Sequence, residues 1–278
     1  MIRPDLHMHT LASDGMYTPW ELARLVQKAD VTCFAVTDHD TVDGLKAAAD
    51  AAYDRGLAFL PGVEISTEGE EEVHILGYGV RATDERLLSF LNCMAQERKE
   101  RIRKMGEKLN QFGFSLPIDE IIASAGVSVG RPHLARAMVD KGYVKTVQEA
   151  FERYLGKGCA AFVPREKMPA SHAIALLRDC GAVPVLAHPG QIKWPMERLL
   201  PLLNAWQDQG LMGLEVYHPS QKGNFAYWDH LARNRGLMVT GGSDFHGLDG
   251  HHGMPGETAG EWRNAREDAW KIFQAAHK

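Results

Sequence analysis

Short apolar segments recur along the chain, and polar residues follow each of them. Several are nearly continuous apolar runs, such as Val183-Pro184-Val185-Leu186-Ala187. Runs of this kind are typical of strands whose two faces are both buried, as in a parallel sheet. The pattern predicts strands at residues 2–7, 33–37, 57–62, 72–78, 183–187, 212–216 and 237–240.

Helical signals lie between the predicted strands. Thr18-Pro19-Trp20-Glu21 has the spacing of a capping box with proline in the first turn, and its helix should run to about Lys28. An alanine-rich helix at about 42–55 should end at Gly56, because glycine readily adopts the conformation that follows a helix. This alternation predicts an α/β fold, a distorted (β/α)7 barrel one strand short of the eight-stranded form.

The alternation of strands and helices breaks near residue 84. One long helix is predicted at 84–112, followed by shorter helices at 118–124, 132–141 and 147–155. Thr146 and Glu149 have the spacing of a second capping box. A helical segment of this length between strands is usually functional or a small domain. We therefore predict a barrel domain of residues 1–97 and 166–278 and a helical insertion (cap) domain of residues 98–165.

Composition and charge narrow the classes of protein. Apolar residues make up 45% and charged residues 24% of the 278 residues, as in ordinary globular proteins. The net charge of −5 argues against a surface that coats nucleic acid, although a local basic pocket is compatible with it. No apolar run reaches the roughly 20 residues that span a bilayer. Four cysteines without a Cys-x-x-Cys pair, and no apolar signal-peptide core, predict free thiols in a reducing cytoplasm.

Imidazole and carboxylate side chains gather where the predicted strands end. His7 and His9 close the first strand, and their spacing of two places both on one face. Glu64 is expected to follow the third strand, and His74 to lie within the fourth. In a barrel the carboxyl ends of the strands converge on the face where active sites lie. The full set is His7, His9, Asp14, His39, Glu64, His74, His188, Asp244 and His246.

This set has the chemistry of a metal centre. Three or four nitrogen and oxygen ligands satisfy one divalent ion, so the set can hold two or three ions if a carboxylate bridges. A single histidine is more often a structural residue, and Asp38 or Asp40 could instead cap a helix. His-x-His, Asp-His-Asp, Gly-x-Glu and Asp-x-His, each after its own strand, together indicate metal binding.

Five short motifs surround these candidate ligands. They are Asp5-Leu6-His7-Met8-His9-Thr10, Thr37-Asp38-His39-Asp40, Gly62-Val63-Glu64-Ile65-Ser66, Ala187-His188-Pro189 and Gly242-Ser243-Asp244-Phe245-His246. They resemble the motifs of the polymerase and histidinol phosphatase (PHP) superfamily, over about residues 1–94 and 180–278. Gly130-Arg131-Pro132-His133 resembles, less specifically, the subgroup that hydrolyses nucleoside 3′,5′-bisphosphates and 5′-phosphorylated RNA ends.

The resemblance implies a seven-stranded barrel that binds up to three ions, often Mn²⁺ and sometimes Fe²⁺ or Zn²⁺. Mixed nitrogen and oxygen ligation without cysteine suits Mn²⁺ and is compatible with the other two. The resemblance assigns one ion to His7, His9, Glu64 and Asp244. It assigns a second, bridged by Glu64, to Glu64, His74 and His188, and a third to Asp14, His39 and His246.

This ligand set predicts hydrolysis without a nucleophilic serine or cysteine. Ions about 3.5–4 Å apart share a hydroxide of lowered pKa and neutralise the charge of phosphoryl oxygens. We therefore expect a metal-dependent phosphoesterase in which a metal-bridging hydroxide attacks phosphorus. The subgroup resemblance implies removal of the 3′-phosphate from nucleoside 3′,5′-bisphosphates, for example adenosine 3′,5′-bisphosphate to AMP.

Arg131 and His133 are candidates for binding the phosphate of the substrate. They flank Pro132 at the predicted start of a helix. Free amide donors, the helix dipole and a guanidinium group together favour an anion at such a place. The alternative is that Arg131 is a solvated residue at the start of a helix.

Three further residues are candidates for substrate contacts. Arg165 lies at the return from the insertion to the barrel, and Lys193 follows the fifth predicted strand. His218 follows the sixth, and its ordinary pKa suits either phosphate binding or protonation of the leaving oxygen. The alternative for His218 is a surface turn.

Other functions remain open from the sequence. A 5′-3′ exoribonuclease on short 5′-phosphorylated RNA cuts the same 3′-side ester, and a histidinol-phosphate-type phosphatase shares the metal centre. An amidohydrolase or deaminase usually has a modified lysine where this chain has Glu64, and noncatalytic barrels tend to lose metal ligands. We expect a small-molecule nucleotide or a short RNA as ligand and no association with a membrane. The sequence implies no protein partner.

Overall fold

The computed structural model describes residues 2–68, 72–164, 168–248, 253–258 and 260–277. Its strands confirm the predicted set, with bounds that differ by one or two residues except at the third, which is six residues longer at its end. They are β1 (Pro4–Asp5), β2 (Cys33–Val36), β3 (Ala58–Glu68), β4 (Glu72–Tyr78), β5 (Val183–Leu186), β6 (Gly213–Tyr217) and β7 (Met238–Gly241).

The strands form one sheet in the order of the chain, from β1 to β7. β4 is antiparallel to both β3 and β5, and the other neighbouring pairs are parallel. The expectation of a parallel sheet is therefore wrong for β4. Only residues 69–71 separate β3 from β4, whereas a parallel neighbour needs a crossover of about a dozen residues.

The two edges of the sheet meet through the segments that follow β1 and β7. The Leu6 N–H donates to the Gly241 carbonyl at 3.0 Å, and the Asp244 N–H donates to the His7 carbonyl at 2.9 Å. Met8 and Phe245 form a parallel bridge beside these bonds. These contacts nearly close the sheet into the predicted barrel and bring the two His-containing motifs side by side.

Helices surround the sheet. In the described residues they are α1 (Pro19–Lys28), α2 (Leu45–Asp54), α3 (Glu85–Gln111), α4 (Ile118–Ser124), α5 (Arg131–Asp140), α6 (Val147–Ala150), α7 (Ala170–Asp179), α8 (Met196–Asp208), α9 (Phe225–Asn234) and α10 (Ala265–Ala276). A π-helical turn, Phe151–Leu155, continues α6.

The first predicted capping box is confirmed, and the second is only half formed. The Thr18 hydroxyl accepts from the Glu21 N–H, and the Glu21 carboxylate accepts from the Thr18 N–H at 2.9 Å. Thr146 likewise accepts from the Glu149 N–H at 3.0 Å. The Glu149 carboxylate, however, accepts from the N–H of Lys145, one residue before the position that a capping box requires.

Two groups of buried apolar side chains lie along α3. Leu87 and Leu91 belong to the core around the sheet, whereas Ile102 and Met105 belong to a second core formed within residues 102–161. A separate core is what a helical insertion needs. The predicted domain boundaries at 97/98 and 165/166 stay a prediction. Helix α3 crosses the first boundary without a break, and residues 165–167, at the second, lie outside the described residues.

The described residues also bear on the membrane and cysteine predictions. No helix among them is long and apolar enough to cross a membrane. All four cysteines are free thiols, with Cys33 and Cys180 buried and Cys93 exposed. Burial raises the pKa of the Cys33 thiol to about 12, which disfavours the reactive thiolate.

Replacing Thr18 with alanine should lower the free energy of unfolding by about 1 kcal/mol, because the Glu21 N–H loses its capping oxygen. Thr18→Ser keeps a hydroxyl at this position and should remain close to the parent. Urea unfolding followed by circular dichroism measures the difference. Equal stability of the alanine variant and the parent would contradict a contribution from this cap.

Candidate metal centre

Most of the candidate ligands follow the carboxyl ends of strands. His7 and His9 follow β1, His39 follows β2, His188 follows β5, and Asp244 and His246 follow β7. Because these strands are parallel and β7 lies beside β1 in the nearly closed barrel, their ends share one rim. The segment after β1 also carries Asp14 to this rim, where its carboxylate lies 3.3 Å from His246 Nε2.

Glu64 and His74 reach the same rim in another way. Glu64 does not follow β3, as predicted, but lies within it, because β3 extends to Glu68. His74 lies near the start of β4 and pairs in register with Ser66 of β3. Since β4 is antiparallel, its start lies beside the carboxyl ends of the parallel strands. The hairpin of β3 and β4 therefore supplies two side chains to one site.

The carboxylate of Glu64 lies at the centre of the cluster and is fully buried. Its Oε2 is within 3.3 Å of three imidazole nitrogens, and its Oε1 is 2.9 Å from two more. The histidines around Oε2 are His7, His9 and His39, and those around Oε1 are His74 and His188. One carboxylate thus contacts ligands from four other parts of the sheet.

Asp244 and Asp14 extend the cluster on opposite sides of His9. Asp244 Oδ1 lies 3.3 Å from His7 Nε2 and 3.2 Å from His9 Nε2. Asp14 lies 3.9 Å from His9 Nδ1, beyond hydrogen-bond distance. The ring of His9 stacks on that of His246, with 4.0 Å between centroids. The structure therefore brings all nine candidate ligands into one continuous cluster.

Three groups of ligand atoms in the described part are compact enough to share an ion, with all atoms of a group within 4.8 Å of one another. They are His7, His9, Glu64 and Asp244; His9, Asp14, His39 and His246; and His39, Glu64 and His74. The first equals the set implied by the family resemblance. The second adds His9 to its implied set, and the third has His39 in the place expected for His188. The assignment of ligands to individual ions stays a prediction.

Several buried polar atoms of the cluster fit bound metal. Among the described residues, His7 Nε2, both ring nitrogens of His9, Asp14 Oδ1 and Glu64 Oε2 have no hydrogen-bond partner. Buried polar atoms are rarely left in this state. Two ligands that share an ion at about 2.1 Å lie roughly 3–3.5 Å apart. The separations of 3.1–3.3 Å around Glu64 Oε2 and Asp244 Oδ1 agree with this geometry.

Burial and charge shift the pKa values in the cluster. Burial favours the neutral acid, yet the imidazoles of His39 and His7 hold the pKa of Glu64 well below its ordinary value. Burial also opposes a charge on His9, but Asp244 and Glu64 raise its pKa to about 10. At His39 burial prevails and lowers the pKa to about 3. The imidazoles around Glu64 therefore favour its ionised form despite its burial.

Asp38 and Asp40 cap no helix among the described residues, and neither belongs to the three candidate ligand groups. Asp38 is buried and accepts from the Thr10 N–H, the Thr10 hydroxyl and the Ser13 hydroxyl, each at 2.7 Å. Asp40 accepts from the Ser66 N–H at 2.9 Å and pairs with Arg98. The two carboxylates therefore hold His39 between the segment that follows β1 and the strand β3. The sequence analysis did not predict this structural role. The Asp-His-Asp pattern was the available signal.

Backbone strain concentrates at the cluster. Asp40, His188 and Asp244 have φ values of +50°, +24° and +54°, in a region that favours glycine. Such conformations cost about 1–3 kcal/mol each and persist only where the surroundings impose them. At these positions the sharp turn lets the chain leave a strand while a polar side chain stays at the rim.

A cavity of about 440 Å³ opens over the cluster. Its barrel side is lined by ligands that include Asp14, Glu64 and His188. Its other side is lined by four arginines from α3 and α5: Arg98, Arg101, Arg131 and Arg136. The cavity thus has an anionic, metal-ligating wall and a cationic wall, and of these arginines only Arg131 was singled out in the sequence.

Arg131 is at the first residue of α5, as predicted, and its guanidinium is held by aromatic rings. Its Cζ lies 5.6 Å from the centre of the Phe151 ring and 5.8 Å from that of Phe162. His133 is turned back toward the helix start, where its Nδ1 accepts from the Gly130 N–H at 3.1 Å. This contact makes His133 a cap of α5, and its predicted contact with substrate stays a prediction.

Arg98 and Arg136 connect the helical insertion to the metal cluster. The Nε of Arg98 donates to Asp40 at 2.8 Å, and its Nη2 donates to the Ser66 hydroxyl at 2.9 Å. Arg136 donates to the backbone carbonyl of Asp14 at 2.6 Å. Both arginines line the cavity, so its cationic wall is anchored directly to the segments that carry candidate ligands.

The remaining substrate candidates are Lys193, Arg165 and His218. Lys193 is exposed and is not among the residues that line the cavity. Arg165 lies outside the described residues. His218 is buried, which excludes a surface turn; its Nε2 lies 3.4 Å from Asp244 Oδ2, and it is not among the residues that line the cavity. Contacts of these three residues with substrate stay predictions.

The segment Gly126-Val127-Ser128-Val129-Gly130 matches the Gly-x-Ser-x-Gly pattern of serine hydrolases but not their geometry. A nucleophile elbow joins a strand to a helix and exposes its serine. This segment joins α4 to α5, and Ser128 is buried. Among the described residues the Ser128 hydroxyl has no hydrogen-bond partner and hence no activating base.

Comparison with known proteins agrees with this geometry. Residues 5–158 match the PHP domain family. A 3′,5′-nucleoside bisphosphate phosphatase of Chromobacterium violaceum is 34% identical over 250 residues, which cover 88% of each chain. A 5′-3′ exoribonuclease of Haemophilus influenzae is 34% identical over 248 residues, which cover 87% of this chain and 89% of the relative. A solved structure from Bifidobacterium adolescentis, described as a metal-dependent phosphoesterase, has a TM-score of 0.87 at 30% identity and covers 98% of this chain and 96% of that one.

Asp14→Asn and His246→Ala should each remove one bound ion and lower turnover on the order of 100-fold, because the first removes the charge of one ligand and the second removes the other ligand of the pair at 3.3 Å. Elemental analysis after loading with Mn²⁺ and dialysis measures the stoichiometry. His230→Ala alters an exposed histidine that bonds to Asn234 and should keep the parent's metal content. A parental stoichiometry in both site variants would contradict the third ion.

Proposed function

The chain belongs to the PHP domain family, and on that premise we propose that it is a metal-dependent phosphatase of nucleoside 3′,5′-bisphosphates. The 3′-phosphate is hydrolysed at the metal centre, and the nucleoside 5′-monophosphate is released. The observation that carries this proposal is a cavity in which four arginines face the cluster of candidate metal ligands. A bisphosphate has two anionic groups, and the two walls of the cavity offer a place for each.

The chain's own residues hold the reaction site. The nine candidate ligands would hold two or three ions, with Mn²⁺ expected and Zn²⁺ or Fe²⁺ compatible with the donors. Such ions, when bound, lower the pKa of water and neutralise the charge of the phosphoryl oxygens. Glu64 is placed to be the shared ligand, because both of its oxygens face imidazoles from different strands. Burial of this carboxylate keeps bulk water away from the ligand side.

The arginine wall supports binding of the phosphate that is not cleaved. Guanidinium groups form paired hydrogen bonds with phosphate oxygens, and Arg131 also lies at the N-terminus of the ten-residue helix α5. The helix dipole favours an anion there. Phe151 and Phe162 restrict the guanidinium of Arg131, which lowers the entropy lost on binding.

A 5′-3′ exoribonuclease acting on short 5′-phosphorylated RNA is the second candidate. The H. influenzae relative of that name has the same 34% identity as the bisphosphate phosphatase. Both reactions cleave the ester on the 3′ side of a 5′-phosphorylated nucleotide. The leaving oxygen is O3′ in both reactions. They differ in the group that stays on phosphorus, because a diester carries a further nucleotide there and a monoester does not.

The deciding experiment compares substrates with the Mn²⁺-loaded protein. Phosphate release is measured from nucleoside 3′,5′-bisphosphates, nucleoside monophosphates and histidinol phosphate, and nucleotide release from 5′-phosphorylated oligoribonucleotides. We expect the highest kcat/KM for the bisphosphates and no activity after metal removal. Higher kcat/KM for oligoribonucleotides would replace this proposal by the second candidate. Failure to cleave any phosphate ester would refute both.

Arg131→Ala should raise KM for a bisphosphate about 10-fold or more with unchanged metal content, because a charged hydrogen bond contributes about 1.5–3 kcal/mol. Nucleoside 3′-monophosphates, which lack the second phosphate, should be affected less. Arg153→Ala is the matched control, since Arg153 lies in the same insertion and pairs with Glu149 at the surface. Loss of metal from the Arg131 variant would contradict its assignment to substrate.

A further inference from the structure

A buried glutamate outside the ligand set contacts two of the ligands. Glu215 lies in the middle of β6, between Leu214 and Val216, and none of its surface is exposed. A carboxylate in such a strand is unfavourable unless hydrogen bonds and opposite charge surround it. The residues around Glu215 therefore show what holds it there.

Its first oxygen contacts the ring of His7. Glu215 Oε1 lies 3.0 Å from His7 Nδ1, and both side chains are fully buried. An ionised carboxylate only accepts hydrogen bonds, so the proton of His7 must be on Nδ1. In the neutral ring that a metal ligand requires, the lone pair is then on Nε2, which faces Glu64 and Asp244 at 3.2 and 3.3 Å. That is the tautomer which a metal ligand bonding through Nε2 needs.

Its second oxygen holds the backbone of His188. Glu215 Oε2 accepts from the His188 N–H at 2.7 Å. His188 has a φ of +24°, which a non-glycine residue adopts only when its surroundings impose it. This turn directs His188 Nε2 to Glu64 Oε1 at 2.9 Å. One carboxylate thus fixes the proton of one ligand and the backbone turn of another.

The other end of Glu215 is fixed as well. The Gln221 side-chain amide donates to the Glu215 carbonyl at 2.8 Å and to the Val216 carbonyl at 3.0 Å. Gln221 is buried. The β6 segment is therefore held from both sides at the level of the metal cluster, and Glu215 has little freedom to move away from His7.

We infer that Glu215 is a positioning residue of the metal centre, which orients His7 and His188 without binding an ion itself. Carboxylate–histidine–metal arrangements raise the basicity of the ligand and fix its ring, and their loss typically costs about 10–100-fold in metal affinity. The inference rests on metal binding by the nine-residue cluster and is independent of which phosphate ester is cleaved.

The test measures Mn²⁺ binding rather than turnover. Free Mn²⁺ is followed by electron paramagnetic resonance during titration of metal-stripped parent, Glu215→Gln and Glu215→Ala proteins. Glutamine retains one accepting oxygen and alanine retains none. We expect the Kd to rise about 10-fold in the glutamine variant and more in the alanine variant. Their unfolding midpoints without metal separate this effect from loss of the fold.

Thr240→Val is the matched control, because Thr240 pairs with Glu215 in register on β7 and is equally buried. It should bind Mn²⁺ like the parent. Binding by Glu215→Gln within twofold of the parent overturns the inference, while the proposed function stands. Absence of Mn²⁺ binding by the parent overturns both.

A second measurement needs no variant. Long-range ¹⁵N–¹H spectra of the Zn²⁺-loaded parent report which imidazole nitrogen of His7 carries the proton. The inference requires a proton on Nδ1, bonded to Glu215, and metal on Nε2. A His7 ring protonated on Nε2 overturns it.

Discussion

The Glu64 carboxylate, buried among five imidazoles, is the constraint on which this structure depends. A charge without solvent is tolerated only when opposite charge or metal satisfies it. The histidines come from four separate places in the sheet, so their convergence requires an almost closed barrel. The closing bonds between the segments after β1 and β7 are therefore also the contacts that complete the site.

The antiparallel direction of β4 also helps to bring the histidines to Glu64. A parallel fourth strand would begin at the far end of the barrel and would carry His74 away from Glu64. The short connection after β3 reverses the direction and places the beginning of β4 at the rim. The strained turns at Asp40, His188 and Asp244 lie at the same level, which shows that the fold tolerates local strain where it gathers polar side chains.

The helices between β4 and β5 form the second wall of the cavity. Arg98 and Arg136 bind these helices to the segments of Asp40 and Asp14, so the cationic wall is positioned by the same backbone that carries ligands. A barrel with this metal cluster can serve several hydrolytic reactions, since function resides in the site and not in the fold. In the proposed function, the charge and spacing of these arginines would select among phosphate esters.

The sequence by itself determined the strands, the main helices, the family and the residues of the ligand cluster, because strand periodicity and short His- and Asp-containing motifs are local signals. Only the tertiary structure decided that Glu64 lies within β3, that Asp38 and Glu215 bond to segments that carry candidate ligands, and that Arg98, Arg101 and Arg136 share a cavity with the candidate-ligand cluster. Those facts depend on contacts between residues far apart in the chain. The sequence does not tell whether a carboxylate in an apolar strand is structural or functional, and the same holds for an arginine in a charged helix. Only the residues that contact it in the folded protein distinguish the two roles.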